Sequence, residues 1–177
     1  MPKIPPNRKI GGFRCDPGSD SDGSGACFVT GNSADEDIDD GTTILTSPNL
    51  DASAESAVLT YDFWYNNGSN CNGADPQNDL FYVDISSDGG TTWTSLDVVG
   101  PSGSEVNGGW ITRNWILADV QNYTPTTTTK IRFTVGDLNE GSIVEAAVDA
   151  IKIGNHYCNE PTCSADINND SVVNVSD

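Results

Sequence analysis

The chain has 177 residues, with 8 Lys and Arg against 26 Asp and Glu, for a formal net charge of −18. Such a surface argues against nucleic acid as a partner, because phosphate binding needs clustered Lys and Arg. It argues equally against anionic membranes, and no apolar run approaches the roughly 20 residues of a membrane span.

In chain order, residues 1–11 are basic and Pro-containing and read as an extended arm. Lys3, Arg8, Lys9 and Arg14 fall within the first fourteen positions, so the remainder is more acidic still. MPKIPPNRKI lacks the apolar core of a secretory leader, which suggests a removed leader or a piece of a longer chain. Strand-like runs follow at ACFVT (26–30) and TTILTS (42–47). Leu59, Tyr61, Phe63 and Tyr65 then alternate with Thr60, Asp62 and Trp64, as do Phe81, Val83 and Ile85 with their neighbours. TTWTSLDVV (91–99), WITRNWIL (110–117), Ile131/Phe133/Val135 and IVEAAVDAIKI (143–153) complete the set. No 3.6-residue apolar stripe competes with this period of two. Short strands separated by Gly, Asn, Asp, Pro and Ser clusters predict an all-β, antiparallel jelly-roll sandwich over 12–154. Residues 155–165 read as a Cys-containing hinge, and 166–177 as a separate short segment.

That last segment, DINNDSVVNVSD, carries the sharpest chemistry. Asp166, Asn168 and Asp170 take positions 1, 3 and 5 of an EF-hand-type loop. Val172 would offer its carbonyl from position 7, with Asn174 at position 9 and Asp177 at position 12. A hard cation such as Ca2+ wants six to eight oxygens, and this spacing lets one tight loop supply them. Ser171 stands where glycine usually makes the turn.

SSDGGTTW (86–93) is a turn staple of the Asp-box type, S-x-D-x-G-x-T-W, with Ser86, Asp88, Gly90 and Trp93 as its structural residues. The Asp side chain bonds turn amides, the glycines take unusual φ, and the Trp packs back. A third feature is the acidic stretch from Asp16 to Asp40, which includes Asp20 and Asp22. Asp37, Asp39 and Asp40 precede a Gly-Thr-Thr turn into a strand and are the first calcium candidates there. Five cysteines is an odd count; Cys15 with Cys27, and Cys158 with Cys163, are candidate disulfides that would leave Cys71 over.

The order GSGACFVTGN, DEDIDDGTTILTSPNLD, LTYDFWYNN, DLFYVDISSDGGTTW, GSIVEAAVDAIKIG resembles MAM-like or galactose-binding-like jelly-roll modules of bacterial secreted proteins. The terminal loop resembles the first repeat of dockerin type I modules, which require a second repeat, so the natural chain is expected to continue. The resemblance implies a calcium ion where an acidic residue of the last strand meets the N-terminal loop. That would set Asp149 alongside Asp39 and Asp40, with Glu145 on the same strand face.

The chain holds one histidine, His156, in the hinge, and none of the G-x-S-x-G, H-E-x-x-H or phosphate-loop motifs, so it does not read as an enzyme. Trp64 and Trp110 are candidate ligand platforms. The function expected is a non-catalytic, secreted, calcium-binding module for adhesion or for binding an extracellular glycan or protein. The alternative is a structural subunit of an extracellular filament, binding copies of itself through the N-terminal arm.

Overall fold

The computed structural model describes residues 3–4, 15–32, 38, 40–68, 75–138 and 141–155. Among the described residues nine strands are formed: β1 (Lys3–Ile4), β2 (Cys27–Val29), β3 (Gly41–Thr46), β4 (Ala57–Asn66), β5 (Phe81–Ser86), β6 (Thr94–Val99), β7 (Ile111–Ile116), β8 (Lys130–Asp137) and β9 (Glu145–Asn155). They pair antiparallel in two sheets, β1-β2-β9-β4-β7 and β3-β8-β5-β6. This is the predicted all-β jelly-roll sandwich, and each predicted run supplies one strand. Among the described residues, no helix is long and apolar enough to cross a membrane.

The period of two decides which side chains meet. Leu59, Tyr61, Phe63 and Tyr65 project inward from β4 and are buried. Phe81, Val83 and Ile85 of β5 and Ile131, Phe133 and Val135 of β8 face them from the other sheet. Phe81 sits at the centre, with ring centroids 5.7 Å from Phe63, 5.7 Å from Tyr65 and 6.2 Å from Phe133. Burial of each such ring is worth roughly 1.5–3 kcal/mol.

Polar bonds close one seam of the sandwich. Arg113 of β7 donates to Asp97 of β6 at 2.9 Å and to Glu105 at 2.8 and 2.9 Å, with its guanidinium 5.0 Å from the Phe63 ring centre. Asp97 also accepts the Tyr61 hydroxyl. A bulge on β6, where Leu96 is the extra residue between the pairs Val83–Asp97 and Asp84–Ser95, shifts the register beside Asp97 at this seam. Glu105 and Asp97 hold Arg113 more firmly protonated than a free guanidinium, while burial first and Asp97 second push the Tyr61 hydroxyl upward.

β1 adds to the edge of the five-stranded sheet, with Lys3 opposite Phe28 and Ile4 opposite Cys27. Cys15 is disulfide-bonded, whereas Cys27 is a buried thiol packed with Val29 and Ala147. The Cys15–Cys27 closure expected from the sequence is therefore corrected. Cys27 opens β2 and is fully buried beside Val29 and Ala147. Cys158 and Cys163 lie outside the described residues.

Candidate metal centre

The outer face of the five-stranded sheet carries two tryptophans, which alternation turns away from the core. Trp64 donates its indole N–H to the Cys15 carbonyl at 2.8 Å, and Trp110 donates to the Ser19 carbonyl at 3.0 Å. The two rings meet edge to face, with centroids 6.0 Å apart. They pin the segment 15–25 across the sheet. Trp64 and Trp110, the candidate ligand platforms, thus have their indole N–H groups engaged in holding this loop.

The loop lands on β9. Asp62 pairs with Asp149 and Thr60 with Lys152, so Ala150 and Ile151 together face the single residue Tyr61. This is a β-bulge, and Ala150 adopts φ 51° within it. The extra residue lets Val148 and Ile151 both contact the core while Asp149 turns to the outer face. There Asp149 is 2 % exposed, because the 15–25 loop covers it.

One carboxylate oxygen from each of Asp20, Asp22 and Asp149 lies within 4.8 Å of the others. Local turns orient the first two. Asp20 accepts the Gly25 amide at 2.7 Å, and Asp22 accepts the Ser24 amide at 2.8 Å. Asp149 Oδ2 accepts the Ser21 amide at 3.0 Å and its hydroxyl at 3.2 Å. Three carboxylates this close repel one another, and partial burial strengthens the repulsion. A hard divalent cation relieves it, and an all-oxygen donor set suits Ca2+ in particular. A recess of about 220 Å³ lined by Asp22, Ser24, Phe28, Asp149, Ala150 and Ile151 adjoins the cluster.

Asp149 thus meets the N-terminal loop as expected, but with other partners than expected. Asp40 lies exposed at the start of β3, in the opposite sheet, and does not join Asp149 among the described residues. Adjacency to a Gly-Thr-Thr turn marked Asp40 in the sequence, yet that turn opens a strand that pairs with β8. Asp20 and Asp22 were visible only as members of an acidic run. Glu145 stays out of the cluster and accepts the Thr30 hydroxyl at 2.6 Å. Asp37 and Asp39 lie outside the described residues, as do Asp166, Asn168, Asp170, Val172, Asn174 and Asp177.

The turn at 86–93 has the geometry its motif requires. Asp88 accepts the amides of Thr91 and Thr92 and the hydroxyls of Ser86 and Thr92. Gly89 and Gly90 take φ 71° and 96°, and a Cβ on Gly90 would meet the Trp93 ring at 3.2 Å. Arg132 stacks 4.3 Å above the Trp93 ring centre. The bonds from Thr92, its backbone amide first, hold the Asp88 carboxyl well below the usual range. A depressed folded pKa contributes stability above the unfolded value of about 3.9, lost as pH falls through the folded value. Asp88→Ala is accordingly expected to melt below the parent at neutral pH, with the gap narrowing as pH drops below about 4. Parallel melting curves across pH check this.

No family model matches the sequence, and a search of characterised proteins found no relative. Among the solved structures that resemble the chain, two do so at 10% identity and a TM-score of 0.39. One is a carbohydrate-binding module, CBM28, specific for non-crystalline cellulose; 64% of this chain and 65% of that one are covered. The other is described as CBM4 structure and function, with 80% of this chain and 92% of that one covered. Neither assigns a ligand to this chain.

Proposed function

We propose that this chain is a non-catalytic, calcium-stabilised β-sandwich module of a secreted protein that binds an extracellular glycan across its four-stranded sheet. The observation that carries the binding reading is a row of side chains on that sheet's outer face. Ile44 opposes Thr134, Thr134 opposes Tyr82, and Tyr82 opposes Val98, so the row crosses all four strands. Ile44, Tyr82 and Val98 are all exposed. The adjacent row supplies polar groups: Arg132 donates to Asp84 at 2.8 Å and also covers Trp93.

A sugar ring presents an apolar C–H face and an equatorial rim of hydroxyls. An exposed tyrosine among aliphatic neighbours suits the first, and a charged Arg–Asp pair beside it suits the second. Calcium at Asp20, Asp22 and Asp149 lies on the opposite sheet, so its role in this reading is to hold the N-terminal loop. The test is retention on soluble polysaccharides in affinity electrophoresis. Tyr82→Ala is expected to weaken retention about tenfold, the equivalent of about 1.4 kcal/mol, with an unchanged melting midpoint. Retention that Tyr82→Ala leaves intact would move the ligand off this face.

A further inference from the structure

The inward stripe of each sheet changes character at the same end of the sandwich. On β4 the buried series Leu59, Tyr61, Phe63, Tyr65 continues to Asn67. On β8 the series Ile131, Phe133, Val135 continues to Asp137, and on β5 it begins two residues before Phe81, at Asp79. Phe81 pairs with Val135, so extending that register sets Asp79 opposite Asp137. Asn67, Asp79 and Asp137 are at most 3 % exposed. Core-facing positions that elsewhere hold Phe, Ile and Val here hold two carboxylates and an amide.

The hydrogen bonds tie these groups to one place but leave oxygens of Asn67 and Asp79 without a donor. Asn67 donates its Nδ2 to the Asp79 carbonyl at 2.9 Å, and Asp79 Oδ1 accepts the Leu138 amide at 3.1 Å. Asp137 Oδ2 accepts the Ser142 amide at 3.1 Å. Asp79 Oδ2 and Asn67 Oδ1 are buried with no hydrogen-bond donor, and the Tyr65 hydroxyl is buried with no partner. Gly100 closes over the site: a Cβ there would stand 3.1 Å from the Asp79 carbonyl and 3.3 Å from the Tyr65 ring. Among the described residues Asp79 is in no ion pair.

Opposed like charges on a sheet are unfavourable, and a buried carboxylate oxygen without a donor is more so. Buried carboxylate and amide oxygens with acceptor capacity left over suit a hard cation. We propose that Asn67, Asp79 and Asp137 hold a second divalent cation, of the Ca2+ class, which closes this end of the sandwich. This site is separate from the Asp149 cluster on the outer face. Its ligands come from both sheets, so the cation cross-links the two layers.

The experiment uses the full chain, stripped with chelator and then titrated with calcium chloride. In an Asp20→Asn/Asp149→Asn background, calcium should still raise the melting midpoint by several degrees. Adding Asp79→Asn should cancel that rise. In chelator the added Asp79→Asn should instead melt higher than its background, because the amide relieves the repulsion against Asp137. A plain hydrogen-bonding role would not produce that crossing. A background variant whose midpoint ignores calcium would overturn the proposal, as would a calcium response that Asp79→Asn leaves unchanged. If the background variant does not fold, Asp79→Asn and Asp137→Asn in the native sequence read the same crossing. An unchanged calcium response in both overturns it there too. A carboxyl pair sharing a proton would give a midpoint that follows pH but not calcium, and that outcome also counts against a cation.

Discussion

Phe81→Ala is expected to lower stability by about 3–5 kcal/mol. Phe81 is fully buried and packs against Phe63, Tyr65 and Phe133, so its removal opens a cavity bounded by both sheets. The surrounding groups cannot collapse into it cheaply. Phe63 is held beneath Arg113, and the strands bearing Tyr65 and Phe133 are each paired on both edges or tied by the seam. With total stabilities usually about 5–15 kcal/mol, this loss consumes a large share of the margin. Denaturant titration should show a lower midpoint with an unchanged slope. A loss under about 1 kcal/mol would mean the core repacks freely around the gap.

Asp149→Asn is expected to remove the calcium response of the outer-face cluster while leaving the fold intact. The substitution keeps an acceptor for the Ser21 amide and hydroxyl and takes away one of three charges. A site filled at one hundred times its dissociation constant stabilises the folded state by about 2.7 kcal/mol. For a domain of this size that is a shift of roughly 5–10 °C in the melting midpoint. The difference between midpoints in calcium and in chelator should shrink by that amount in Asp149→Asn. In chelator the variant should match or exceed the parent, since the carboxylates then repel one another less. A calcium response equal to the parent's would remove Asp149 from the site.

Much of the fold was legible because a half-buried strand writes its geometry into the sequence at a period of two. The alternation through Leu59–Tyr65 and Phe81–Ile85 named the inward residues correctly. The Asp-box was equally legible, because the bonds that Asp88 accepts all close within eight residues. The carboxylate cluster of Asp20, Asp22 and Asp149 was half legible. Asp149 could be placed against the N-terminal loop by resemblance, but Asp20 and Asp22 are more than 120 residues away in sequence. Their meeting depends on two indole hydrogen bonds and on a bulge at Ala150 that no local pattern announces. The Asn67–Asp79–Asp137 end left a readable trace, a polar residue continuing each apolar alternation. It becomes a site only once the sheets stack and bring the three ends together.

The sequence by itself determined the strands, their inward faces, the acidic surface and the turn at 86–93, since each follows from local spacing or composition. Tertiary structure alone decided which carboxylates share a site, what Trp64 and Trp110 do, and that Cys27 does not pair with Cys15. The reason is physical: those outcomes rest on contacts between strands distant in sequence, where register, bulges and loop docking select the partners.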